Sequence, residues 1–260
     1  MFKTAITENT VLFFRIILAF TFTGHGLVSL GFSGGYELHY RIFESVNLFN
    51  WNVERFLFWQ GLWDLLLAAG ILFGFQIKIL LSAAIIYLSS VAVIGWMYFN
   101  SKTGNIFGFA ESFRRFAWLF YAIFLWLHYF KNQKRYTLLR IGIGFAFLAH
   151  GLASLGFFGL RGAHVELASQ VLSEETANAI VFYSGYSDTA IGIFLLFGIF
   201  SRIAASVGAV WLLVVVWLSF MLGIPEGIFR TGFLLSCIYV ALDLRCHERN
   251  ILSLFSKQIK

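Results

Sequence analysis

Charge is what this sequence has least of. Of 260 residues, 12% are charged and 59% are hydrophobic, whereas a soluble domain carries roughly 25% charged residues. Proline occurs once, at Pro225, so almost nothing in the chain breaks a helix by removing a backbone donor. Cysteine occurs twice, at Cys237 inside the last apolar segment and at Cys246 just past it. Neither has a matched partner on its own side, so no disulfide and no Cys-based metal set is expected. There is no glycine-rich phosphate loop and no serine-nucleophile elbow, and the run GIGFAFLAHG at 142–151 reads as helix packing. Nucleotide hydrolysis and serine hydrolase chemistry thus lose their sequence support.

What the chain does have is long apolar runs. Crossing a hydrocarbon core about 30 Å thick takes about 20 residues of helix. Eight crossings are expected, at about 9–32, 54–75, 77–99, 113–130, 136–159, 177–199, 202–223 and 227–243. The fold class is therefore all-α, a polytopic membrane protein with no stretch left for a separate soluble domain. The first run, after MFKTAITENT, outlasts a signal-peptide core and has no small-residue cleavage site, so it reads as a retained helix. The net charge of +6 does not point to nucleic acid, because no soluble face is available to carry a basic patch. It reports orientation instead: ten Lys and Arg fall on one set of connecting segments and seven on the other. That bias is expected to place both termini in the cytoplasm.

One stretch is written twice. FTGHGLVSLGF (22–32) returns as FLAHGLASLGF (147–157). The 125-residue shift also lays Arg15 on Arg140, His25 on His150, Ser29 on Ser154 and His39 on His164. After a one-residue adjustment, FWQGLWDLLLAAGILFGF (58–75) aligns with FYSGYSDTAIGIFLLFGI (182–199), pairing Gly61 with Gly185, Asp64 with Asp188 and Gly74 with Gly198. A weaker alignment sets Arg114 against Arg230. Two four-helix units follow, 1–133 and 134–260, joined at KNQKRY. An even number of crossings per unit makes the repeat parallel, unlike the inverted repeats of many transporters.

An ionisable group at the centre of a membrane helix costs roughly 2.5–3.5 kcal/mol, so each one needs a reason. Arg15 and Arg140 lie within about two turns of helix ends, where long side chains snorkel to headgroups. His25, His150, Asp64, Asp188, Arg114 and Arg230 share a similar depth in the outer half, where each unit can gather its His, Asp and Arg. Gly61, Asp64 and Ala68, and likewise Gly185, Asp188 and Gly192, fall on one helix face. Small residues on that face let a second helix approach and meet the carboxylate. Four readings compete: a buried polar clasp, a quinone headgroup site with His as donor and Asp as proton acceptor, a metal or haem site, and ion or solute conduction. No His-x-x-x-His pair supports a metal. His39 and His164 read as solvated residues of outward-facing loops.

The stretches RIILAFTFTGHGLVSLGF and RIGIGFAFLAHGLASLGF resemble the first helix of DoxX-like membrane proteins. So does a second helix rich in Gly and Leu that ends in FG before a basic residue. The resemblance covers each half, so the chain resembles a tandem DoxX-like protein. It implies membrane subunits linked to quinone-dependent sulfur oxidation and other oxidoreductase complexes, with eukaryotic relatives similar to cargo receptors or assembly chaperones. The expectation is a membrane subunit of a quinone-linked or respiratory complex, with His25, Asp64, His150 and Asp188 as candidate catalytic residues. Arg114 and Arg230 are the candidates for holding the cofactor, which is quinone ahead of haem. Lipid and other membrane or periplasmic subunits are the expected partners. The alternative is a non-catalytic scaffold, assembly or partner-binding subunit.

Overall fold

The computed structural model describes residues 2–33, 36–46, 52–103, 116–157 and 161–247. Every regular element among them is helical. In chain order they are α1 (Phe2–Ser29), α2 (Tyr36–Val46), α3 (Val53–Phe73), α4 (Ile77–Thr103), α5 (Phe116–Tyr129), α6 (Arg135–Ser154), α7 (Arg161–Ser169), α8 (Glu174–Phe197), α9 (Ser201–Leu222) and α10 (Ile224–Leu242), followed by a 3-10 turn at Leu244–Cys246. Seven of these, α1, α3, α4, α6, α8, α9 and α10, are long and apolar enough to cross a membrane. The fourth expected crossing is represented by α5, whose 14 residues are apolar but fall short of that length. Residues 104–115, where it was expected to begin, lie outside the described residues. The chain is a multi-pass helical membrane protein.

The helix ends follow local chemistry. Asn52 caps α3 by accepting from the Arg55 backbone N–H at 3.0 Å, and Ser173 caps α8 by accepting from the Thr176 N–H at 3.3 Å. Both helices end at a left-handed glycine, Gly74 with φ 74° and Gly198 with φ 76°, a conformation that costs any residue with a Cβ. Pro225 sits in the first turn of α10, where its missing donor costs nothing.

Three helix pairs pack most extensively, α6 with α8, α9 with α10 and α1 with α3. The fourth helices interlock the two regions. Besides its hairpin partner α9, α10 packs along α1 far more than along α6, while α5 packs against α6 more than against α1. The arrangement is thus more intimate than two bundles standing side by side, because α1 and α6 each lean on the last helix of the other region. α6 is the most enclosed span, with 72% of its apolar window buried, against 22% for α4. Large side chains such as Trp59, Leu66, Ile79, Val210 and Trp217 stay exposed on the outer faces, as helices that meet lipid require.

Candidate functional site

The repeated glycines set the distance between paired helices. A Cβ at Gly26 would lie 2.9 Å from the Gly61 carbonyl oxygen, and one at Gly61 would lie 2.8 Å from the Gly26 oxygen. In the other region, a Cβ at Gly151 would lie 2.5 Å from the Thr189 nitrogen, and one at Gly192 would lie 2.5 Å from the Leu148 nitrogen. These are backbone atoms and cannot swing aside as a flexible side chain could. Glycine is therefore what lets α3 press on α1 and α8 press on α6.

That approach delivers each Asp to a His. His25 Nδ1 lies 2.7 Å from Asp64 Oδ2, and His150 Nδ1 lies 2.7 Å from Asp188 Oδ2. The carboxylates are enclosed, with 0% of the Asp64 and 2% of the Asp188 side chain exposed. Such a short contact holds a proton between ring and carboxylate, and it fixes which imidazole nitrogen is committed to Asp. In both pairs the second oxygen, Oδ1, is buried without a hydrogen-bond partner among the described residues.

His39 and His164 differ from the sequence expectation of solvated loop residues. They lie on the short helices α2 and α7, which fold back over the pairs. The His39 ring centroid is 4.8 Å from that of His25, and the His164 ring stacks on His150 at 4.8 Å and 17°. Ser29 Oγ approaches His39 Nδ1 at 3.4 Å, and Ser154 Oγ approaches His164 Nδ1 at 2.9 Å. Each site is thus Asp, membrane His, capping His and Ser. The signal was present in the sequence, since His39 and His164 obey the same 125-residue shift as the motif.

The surroundings then diverge. In the N-terminal region (α1–α5) the Gln60 amide donates to the Tyr87 hydroxyl at 3.0 Å, while Gln60 Oε1 is buried without a partner. Aromatic rings close this site, with Phe229 of α10 at 6.1 Å and Trp118 of α5 at 6.5 Å from the His25 ring. A cavity of ≈ 20 Å³ lies between α1, α2, α3 and α4, lined by His25, His39, Phe43, Gln60, Val91, Ile94 and Gly95. In the C-terminal region (α6–α10) the position matching Gln60 is Ser184, whose hydroxyl turns back to the Val181 carbonyl at 3.0 Å. His150 is the more open histidine, 39% exposed against 13% for His25.

The arginines follow a different pattern from the one expected. Arg114 lies outside the described residues. Arg230 pairs with Glu226, one turn earlier on α10. Glu226 also accepts from Ser33 Oγ at 3.4 Å. Because Phe229 packs on His25, this stretch of α10 serves the N-terminal site and not Asp188 of its own unit.

Arg15 and Arg140 do not snorkel. Arg15 donates to the Ile71 carbonyl at 2.7 Å and to the Leu72 carbonyl, capping the C-terminus of α3 beside Gly74. Arg140 occupies the matching place beside Gly198 with 0% exposure, but its three guanidinium nitrogens meet no hydrogen-bond acceptor among the described residues.

Past α10 the chain is tied by polar contacts. Burial works to raise the Asp243 carboxyl, but hydrogen bonds from Arg245, one of them at 2.8 Å, and from the Tyr239 hydroxyl hold it below the usual range. Burial lowers His247 from its ordinary value, reinforced by the nearby Arg140 and Arg202 charges and opposed by its bond to Val240. His247 Nε2 donates to the Val240 carbonyl at 2.6 Å, so Nδ1 accepts from Ser201 Oγ at 2.7 Å.

Among the described residues, no group of three or more His, Cys, Asp and Glu is arranged to hold a metal ion. Comparisons with curated proteins and with solved structures each return no match. Residues 136–221, from α6 into α9, match the DoxX family model, so this stretch of the multi-pass membrane protein is similar to a DoxX domain.

Proposed function

We propose that the chain is the membrane subunit of a quinone-linked oxidoreductase or respiratory complex in a bacterial inner membrane, built from two related four-helix units with both termini in the cytoplasm. The observation that carries this reading is the pair of buried His–Asp contacts, each 2.7 Å long, within apolar helices. Charged or proton-exchanging groups at that depth are costly and typically mark proton or substrate paths. The DoxX match at residues 136–221 agrees with the resemblance from which the oxidoreductase reading is drawn.

The residues fit a quinone unequally. At the N-terminal site a cavity of ≈ 20 Å³ is room for about one water, which takes roughly 10–15 Å³, and not for a quinone ring. At the C-terminal site His150 is open, with Asp188 behind it and His164 stacked beside it. There a protonated His150 would donate from its second nitrogen to a quinone carbonyl, with Asp188 accepting from Nδ1 and holding the ring in place. A bound quinone would supply a proton-coupled redox couple. His150, the more exposed ring, would also be the residue to hold a haem through its imidazole nitrogen. Arg230, tied to Glu226, would reach a cofactor only by giving up that pair.

Purification from native membranes, followed by extraction and absorption spectroscopy, tests the reading. Co-purified quinone, and loss of respiratory electron flow in the His25→Ala, His150→Ala double variant, are the expected results. Absence of quinone and of a haem band, with intact electron flow in that variant, overturns it.

The glycine-packed clasp supports a second reading, a non-catalytic scaffold or assembly subunit holding other membrane or periplasmic proteins. In that case Asp64→Asn and Asp188→Asn lower thermal stability or the recovery of a partner in pull-downs, and leave turnover of the complex unchanged.

A further inference from the structure

The Gln60 carbonyl oxygen is the feature that neither reading uses. It is buried, with the residue 6% exposed, it meets no hydrogen-bond partner among the described residues, and its side chain lines the cavity shared with His25 and His39. A buried amide oxygen left unsatisfied costs about 1–3 kcal/mol, and it is matched by a ligand that donates a hydrogen bond. The cavity has the volume of one water and polar groups on three of its walls, the conditions under which an internal water is held.

We propose that this cavity binds one water that joins His25 to His39, making the N-terminal site a proton conduit between buried Asp64 and the face covered by α2. The proposal rests on reading the His–Asp pair as a working group. In the conduit His39 passes a proton to the water, and the water passes one to the His25 nitrogen that does not face Asp64. His25 then releases the proton it shares with Asp64. N–H and O–H bonds form and break in equal number, and no electrons move. Gln60 positions the water, and the Tyr87 hydroxyl, which Gln60 meets, faces the same carboxylate.

Among the described residues, His25 comes to the path from α1, His39 from α2, Asp64 from α3 and Tyr87 from α4. α5 contributes the uncharged Trp118, and α10 contributes Phe229, with Glu226 one turn before it and Arg230 next to it, paired to each other. The C-terminal site has no counterpart of the Gln60–Tyr87 pair, since Ser184 and Trp211 stand in those places. The two sites therefore divide the work, with ligand access at His150 and proton access at His25.

The test uses the full chain in phospholipid nanodiscs, transferred into heavy water while the carboxyl infrared band is followed. Loss of a band in Asp64→Asn assigns it. Exchange at Asp64 is expected to slow roughly tenfold in Gln60→Leu and in His39→Phe, the effect of removing one hydrogen-bonding link. Ser184→Leu is expected to leave it unchanged. If either apolar variant loses helicity, Gln60→Asn and His39→Gln are read in their place. Unchanged exchange at Asp64 in both the Gln60 and His39 variants overturns the conduit. Slowed exchange in protein that yields no quinone keeps the conduit and removes the cofactor reading, so the two fail separately.

Discussion

The N-terminal and C-terminal regions carry the same His–Asp contact at the same distance, reached through the same glycines, yet they enclose it differently. His25 is closed in by Phe229, Trp118 and the Gln60–Tyr87 pair, whereas His150 keeps an open ring face. The same split recurs at the other end of the helices. Arg15 satisfies the carbonyls that end α3, and Arg140 sits over the end of α8 with no acceptor. A shared motif thus guarantees the backbone approach and the contact it permits. Access, hydration and charge compensation are set by residues outside the motif, and some of them, such as Phe229, come from the other region.

The largest effect expected to sharpen this comparison comes from removing one histidine. His25→Leu leaves the fully enclosed Asp64 without its partner and should cost about 3–5 kcal/mol. His150→Leu should cost clearly less, because the more open site lets water reach Asp188. Thermal unfolding in detergent, read by fluorescence-detected size exclusion, compares the two, and equal losses would erase the distinction between closed and open sites.

Next come the glycines. Gly192→Ala drives a Cβ into the Leu148 backbone, and Gly24→Ala drives one to within 2.7 Å of the Phe229 nitrogen. Each should cost about 1–3 kcal/mol as overpacking. The first loosens α6 from α8, and the second loosens α1 from α10. A near-neutral Gly24→Ala in the same unfolding assay would speak against the tight packing of α1 on the last helix of the other region.

The arginines should then separate in sign. Arg15→Met removes hydrogen bonds to two carbonyls and should destabilise by about 1–2 kcal/mol. Arg140→Met replaces a buried, unpaired charge with an apolar chain of similar volume, and should be neutral or stabilising. Matching losses in melting temperature would show that Arg140 finds acceptors as good as those of Arg15.

The smallest effect expected is a dependence on pH. Burial lowers His247 in the folded protein, so the unfolded chain takes up a proton first as pH falls. The stabilisation is complete above the ordinary His value of about 6.5 and is lost as pH drops through the lower folded value. Melting temperatures between pH ~7.5 and ~5.5 should fall less steeply in His247→Gln than in the parent chain.

Periodicity and composition were enough to reach a helical multi-pass protein, and the repeat was enough to choose His25, Asp64, His150 and Asp188. The Gly61, Asp64, Ala68 spacing even carried the reason those side chains meet another helix. It did not carry the partner of Arg230, because an i, i+4 contact with Glu226 competes with any longer reach and only packing decides between them. Nor did it place His39 and His164. The 125-residue shift marked both residues, but whether their short segments stay in solvent or fold back is decided by contacts with the spans.

By itself, then, the sequence determined the spans, the repeated motif and the set of His, Asp and Arg candidates, because apolar length and small-residue spacing act locally along the chain. Tertiary structure alone decided that α10 closes the N-terminal site, that α2 and α7 cap the histidines, and that one site is closed while the other is open. Those outcomes depend on contacts between residues as far apart as His25 and Phe229. Contacts of that kind leave no trace in the spacing of either segment.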